Sequence, residues 1–213
     1  QVQEALMTVI MALKRNGQVW LGADTRITDG DYGIDYQVSE REDFHHSLEM
    51  DSKLVLLDHA IIGCAGDVTM RNYLELFVSR NKNKTLPFDH KLHVIEFFIV
   101  FKKFLKKEAG LGDSGSNEVQ GIHNTSWLVA TPERVFTVDY DGAVLEYPVM
   151  CAVGSGTYSA RAALEYMLEY QPKIPPTKML ERAHEIVVRH NLTCGGNQIQ
   201  INVTKALGSV ETE

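Results

Sequence analysis

The sequence predicts an α+β chain in four layers, with two antiparallel sheets packed face to face between two layers of helices. Three observations predict it. Strand-like and helix-like segments come in blocks: strands, two helices, more strands, two more helices and a last strand. Val9-Ile10-Met11 is a nearly continuous apolar run, expected of a strand covered on both faces. And 213 residues with 44% hydrophobic side chains suffice for one large core, with no linker-like stretch to divide it.

The first element is a hairpin from Thr8 to Asp24, turning at Asn16-Gly17, a pair that supplies the positive φ a two-residue turn requires. A polar segment over 27–50 follows, crowded with Asp29, Asp31, Asp35, Glu40, Glu42 and Asp43, and reads as an exposed loop or loose hairpin. Its tandem His45-His46 is no metal site on this reading, because adjacent residues rarely converge on one ion. Leu54–Leu57 and Ala60–Cys64 form a second hairpin around Asp58-His59, closed by the small residues Gly63-Cys64-Ala65-Gly66, where backbone approaches something closely.

Two helices come next. The first has Val68, Tyr73, Leu74, Leu76 and Phe77 at helical spacing behind Asp67, an N-cap or first-turn acid. The second spans about 90–107, with an apolar face of Leu92, Ile95, Phe98, Ile99, Phe101 and Leu105 and lysines crowding its C-terminal turns. Strands are expected at 127–130, 135–138, 143–147 and 150–153, then a helix directly after Gly154-Ser155-Gly156. Pro175-Pro176-Thr177 starts another helix, with Thr177 as N-cap and Met179, Leu180, Ala183, Ile186 and Val187 inward. Gln198–Val203 is the last strand.

Composition narrows the function. A net charge of −7 without a basic stripe argues against nucleic acid as a partner. Cys64, Cys151 and Cys194 show neither metal spacing nor the even count of a disulfide framework. No apolar run approaches a membrane span and no signal peptide is apparent, so the expected compartment is the cytoplasm.

Five motifs then stand in order: Thr8 with Asp24-Thr25-Arg26-Ile27-Thr28 sixteen residues on, Ser52-Lys53-Leu54, Cys64-Ala65-Gly66, Val153-Gly154-Ser155-Gly156, and Cys194-Gly195-Gly196. Through them the chain, from Thr8 to about Val203, resembles proteasome β-type subunits. It equally resembles the bacterial relative that forms the peptidase chamber of an ATP-dependent protease. Both are N-terminal-nucleophile hydrolases. The resemblance implies Thr8 as nucleophile, its hydroxyl attacking a peptide carbonyl and its freed α-amine acting as base. Lys53 would lower the pKa of that amine from about 8, with Asp24 holding the lysine charged. Gly66 would supply an oxyanion N–H, and Ser155 would complete the hydrogen bonds at the amine. Ile27, Thr28, Asp51, Val55, Cys64, Val68 and Asn72 would line the specificity pocket, where Asp51 favours basic substrate residues.

Three features depart from the family. Asn191 stands where an acid is usual, Cys194 where a serine is usual, and the interval from Asp24 to Lys53 is longer than usual. Thr8 is also not first, so residues 1–7 are read as a pro-segment or as a leftover of cloning ahead of an initiator Met7, and 8–213 as one domain. The expected function is a threonine endopeptidase cleaving peptides or unfolded proteins within a homo-oligomeric double ring. Other ring subunits or an unfolding ATPase could join it, and no cofactor is expected. The alternatives are a non-catalytic ring subunit of the same fold and an amidase or acyltransferase that is not proteolytic.

Overall fold

The computed structural model describes residues 8–29, 32–35, 53–81, 88–108 and 125–208, without the side chains of 27–29 and 32–35. The elements in chain order are β1 (Ile10–Arg15), β2 (Gln18–Asp24), β3 (Arg26–Asp29), β4 (Tyr32–Asp35), β5 (Leu54–Leu56), β6 (Ile61–Ala65), α1 (Val68–Arg80) and α2 (Lys91–Glu108). There follow β7 (Ser126–Ala130), β8 (Val135–Val138), β9 (Val144–Glu146), β10 (Met150–Val153), α3 (Thr157–Tyr170), α4 (Pro176–His190), β11 (Gln198–Asn202) and α5 (Val203–Gly208).

Two antiparallel sheets carry the molecule, in the orders β10-β1-β2-β11 and β5-β6-β7-β8-β9, with β3-β4 as a separate ribbon inside the acidic segment. Asn16 and Gly17 take φ of +52° and +71°, the two left-handed residues of a tight hairpin, and pair Arg15 with Gln18. Because successive strand residues face opposite sides, β1 divides its side chains between two cores. Ile10 and Ala12 join Leu21, Ala23, Leu54, Ile61, Leu128 and Val135 between the sheets. Val9, Met11 and Leu13 pack outward on Ala160, Leu164, Met179, Leu180 and Val187 of α3 and α4. On the far side, Val55, Ile62, Trp127 and Phe136 meet Leu74, Phe77, Phe97, Phe98 and Phe101 of α1 and α2. The order is therefore helices, sheet, sheet, helices, and the unbroken apolar run of β1 follows from burial on both faces.

The intersheet layer is thin where β6 crosses β1. A Cβ on Gly63 would stand 2.9 Å from both Cδ1 and Cγ2 of Ile10, which gives the small-residue run at the end of β6 its physical reason. Asp67 caps α1 as expected, its carboxylate accepting from the Thr69 N–H at 2.8 Å.

Three expectations need correction. On α2 the inward stripe is Val94, Phe97, Phe98, Phe101 and Leu105, whereas Leu92 and Ile99 are exposed. At 100° per residue those two fall more than a quarter-turn from the centre of the stripe. The N-cap of α4 is Pro175, with Pro176 at the first helical position, so Thr177 already lies inside the helix. Last, Val203 begins α5 instead of ending β11; Asn202 accepts from the Lys205 N–H at 3.1 Å, a helix-starting bond that stops the strand.

Candidate active site

The site lies where one end of the first sheet meets the start of β5. Thr8 enters β1 flanked by β2 on one side and β10 on the other, so the ends of both neighbours close over it. Ile10 pairs with Val153 of β10, and the chain then turns through Gly154-Ser155-Gly156 around Thr8. The Thr8 carbonyl accepts from the Gly156 N–H at 3.2 Å, and Ser155 Oγ lies 3.3 Å from it. Gly154, at φ +96°, runs so close beneath that a Cβ there would be 2.9 Å from the Thr8 carbonyl carbon. The Thr8 N–H donates to Ser155 Oγ at 3.2 Å.

Asp24 is the organising charge. It ends β2, beside Val9, and is fully buried. Its Oδ1 accepts from the Val9 N–H at 2.9 Å and from Lys53 Nζ at 2.7 Å, while Oδ2 accepts from the Gly195 N–H at 3.2 Å. One carboxylate thus ties the strand that carries Thr8, the lysine from the other sheet and the loop between α4 and β11. Burial pushes the Lys53 ammonium below its ordinary range, and the Asp24 carboxylate opposes that. Lys53 also holds the end of β6, its carbonyl accepting from the Cys64 N–H at 2.8 Å. Gly66 follows β6 directly at φ +153°, a conformation that side chains resist.

The loop after α4 completes the cluster. Asn191 Oδ1 accepts from the Thr193 N–H at 3.1 Å and from its hydroxyl, an Asx turn. Thr193 Oγ1 lies 2.9 Å from Ser155 Oγ, and Cys194 Sγ lies 3.5 Å from the same oxygen. An amide oxygen only accepts, so the sense of the chain is fixed. Thr8 N–H donates to Ser155, Ser155 to Thr193, and Thr193 to Asn191. Burial raises the Cys194 and Cys64 thiols, so neither is a ready thiolate nucleophile at neutral pH.

Six residues named from the sequence, Thr8, Asp24, Lys53, Ser155, Asn191 and Cys194, therefore fall in one connected network. Of the pocket residues, Val55 and Cys64 are buried beneath α1, on which Val68 and Asn72 are exposed. Asp51 and the side chains of Ile27 and Thr28 lie outside the described residues. Three contributors escaped the sequence reading. Thr193 was legible as an Asn-x-Thr turn after a helix. Arg26 donates to the Leu192 and Cys194 carbonyls at 3.3 and 3.4 Å, pinning the loop. His184 sits on the buried stripe of α4, its Nε2 without a hydrogen-bond partner among the described residues; burial lowers its pKa, against a pull from Asp24.

Similar architectures are known. The BPH protein of Thiobacillus denitrificans superposes with a TM-score of 0.75 at 16% identity, covering 92% of this chain and 98% of that one. It has also been solved in complex with epoxomicin, with a TM-score of 0.72 at 16% identity, covering 92% of this chain and 99% of that one. Eukaryotic HslV from Trypanosoma brucei gives 0.63 at 18% identity over 91% of this chain and 98% of that one. A Gly-1 mutant of Anbu from Hyphomicrobium sp. strain MC1 gives 0.64 at 12% identity over 92% and 80%. No family model matches the sequence, and neither does any curated protein. With these structures the chain shares a four-layer αββα sandwich, two antiparallel sheets between helical layers. Among the described residues, no helix is long and apolar enough to cross a membrane.

Proposed function

We propose that the chain is a threonine-type endopeptidase subunit of a proteasome-like ring, active once the residues before Thr8 are removed. The observation that carries the reading is the grip of one buried carboxylate, Asp24, on Lys53 and on the backbone beside Thr8. A structural ring subunit has no need to bury an ion pair there, since an apolar pair of similar volume would serve stability as well or better.

The chemistry follows from the parts. With the preceding peptide bond cut, the Thr8 nitrogen becomes an amine with an ordinary pKa of about 8. The Lys53 ammonium lowers it, so a fraction is neutral at working pH. Ser155 accepts one N–H and leaves the lone pair for the Thr8 hydroxyl. The amine takes the hydroxyl proton as Oγ1 attacks the peptide carbonyl, and the Gly66 N–H stabilises the oxyanion. Collapse of the tetrahedral intermediate passes that proton to the departing amine and leaves an ester on Thr8. Water, deprotonated by the same amine, then hydrolyses the ester. Removal of residues 1–7 would use the Thr8 hydroxyl on the Met7 carbonyl, with a water in place of the missing amine. Epoxomicin, bound in the BPH complex, is the natural probe.

The test compares chains beginning at Thr8 and at Gln1. The first should hydrolyse fluorogenic peptides and gain the mass of epoxomicin; the second should do neither until its own mass falls by residues 1–7. A chain beginning at Thr8 that is both inert and unlabelled would leave the non-catalytic ring subunit as the better reading. Assembly is tested by light scattering, where a stable monomer of 23.9 kDa would count against the ring.

A further inference from the structure

We propose that Asp89, His90 and His93 form a binding site for a divalent transition-metal ion, a site independent of the hydrolase chemistry. The three residues stand at the start of α2 in the pattern Asp-His-x-x-His. One donor atom from each, a carboxylate oxygen and two ring nitrogens, lies within 4.8 Å of the others. Asp89 Oδ1 is 2.5 Å from His93 Nδ1 and 3.7 Å from His90 Nε2, and the two imidazoles overlap with centroids 3.6 Å apart.

His93 Nδ1 is shielded from solvent, and the Asp89 carboxylate oxygen faces it at 2.5 Å, an ion pair when the ring is protonated and closer than two ligands of one ion stand. A metal ion that replaces the ring proton would spread this pair. With metal–ligand bonds of about 2.1 Å, ligands of a tetrahedral ion stand about 3.4 Å apart. The observed separations fall on both sides of that value, so small side-chain rotations bring all three atoms to one centre.

The backbone supports the placement. Phe88, immediately before Asp89, has φ +52°, is fully buried and packs its ring on Phe97 with centroids 5.0 Å apart. A bulky residue held at that φ is strained, and its burial against Phe97 keeps it there. The partial positive charge at a helix N-terminus, about half an elementary charge, disfavours a cation; the full charge of the Asp89 carboxylate outweighs it. Two imidazoles and one carboxylate select zinc, nickel, cobalt or copper over magnesium or calcium. Asp89 and His90 are exposed, which leaves the remaining coordination positions to water.

Calorimetric titration of the full chain with zinc, and the visible spectrum with cobalt, test the site. One ion per chain should bind at micromolar concentration. His90→Ala, at an exposed position that unfolding does not confound, and His93→Ala should each weaken binding about tenfold or more. Asp89→Asn should weaken it too. A His45→Ala/His46→Ala variant, altering the tandem pair outside the described residues, should bind as the parent does. Absence of binding at hundreds of micromolar zinc, binding that survives the His90→Ala/His93→Ala double variant, or binding lost with His45 and His46 would overturn the proposal.

Discussion

Removing the charge of Asp24 while keeping its shape isolates what that carboxylate does. In Asp24→Asn the amide oxygen can still accept from Val9 and Lys53, but the amide NH₂ then faces the Gly195 N–H, donor against donor. That leaves a buried donor unpaired and costs about 1–3 kcal/mol at any pH. The larger effect falls on Lys53, 8% exposed and now without the Asp24 charge. A buried ammonium that has lost this carboxylate can shed its proton instead, and that route caps the penalty. From the ordinary value of 10.5, neutralising the lysine costs about 5 kcal/mol at pH 7 and about 2 kcal/mol at pH 9. The sign is set by linkage. The variant's folded chain holds the lysine neutral, the unfolded chain protonates it below pH 10.5, and so stability rises with pH through that window. Urea unfolding at fixed protein concentration should show the deficit of Asp24→Asn against the parent shrinking by up to about 3 kcal/mol between pH 7 and pH 9. Lys53→Met added to Asp24→Asn should abolish that pH dependence and recover most of the pH 7 loss. A deficit equal at both pH values, or a double variant no more stable than the single one, would refute the reasoning.

Further predictions concern the chain beginning at Thr8. Lys53→Ala should abolish peptide hydrolysis with the oligomer intact, and Lys53→Arg should fail as well, because a planar guanidinium cannot replace an ammonium; wild-type turnover in either would displace the lysine from the mechanism. Thr193→Val breaks the relay between Ser155 and Asn191, so it should lower kcat about tenfold or more and shift the acid limb of the pH–rate profile, whereas Thr193→Ser should restore both; an unmoved profile in Thr193→Val would make the residue merely structural. His184, whose pKa burial lowers, should favour folding above its ordinary 6.5 and cost stability as pH falls below it. His184→Leu should therefore flatten the stability–pH curve on the acid side of 6.5, and an unchanged slope would show that the histidine is not the titrating group.

What the sequence made legible follows from how local each signal is. The β1–β2 hairpin, the cap of α1 and the helix after Ser155 depend on neighbours in sequence, and each formed where expected. The rotated face of α2 depends on where the aromatic side chains of α1 stand, which periodicity alone does not fix when eight of eleven residues from Leu92 to Lys102 are apolar. The network around Thr8 was read only through resemblance. Its longest hydrogen bond in sequence joins Asp24 to Gly195, 171 positions apart, a pairing that no local pattern encodes. Thr193 and Arg26 carry no role in the sequence pattern for a related reason: they act on backbone carbonyls and hydroxyls of a loop whose path no local signal gives.

The same geometry bears on why a neutral Asn191 and a thiol at Cys194 are tolerated. A carboxylate at 191 would place a second negative charge on the relay that ends at the Thr8 nitrogen, and so favour the protonated, non-basic amine. Asp24 already pairs with Lys53 at 2.7 Å, and the Arg26 guanidinium lies on the loop carbonyls of Leu192 and Cys194. With a neutral acceptor at the end, the relay can fix the direction of every hydroxyl without opposing the lysine's effect on the amine. Cys194 stays protonated because it is buried, so it can sit 3.5 Å from Ser155 without adding charge or competing as a nucleophile. On the proposed function, Asn191 and Cys194 then act alike: both keep charge off the hydrogen-bonded side of the freed Thr8 amine and leave Lys53 and Asp24 to set its basicity. On that proposal the chain beginning at Thr8 should hold a working base at a lower pH than its Asn191→Asp variant, which sets a second acid beside the amine.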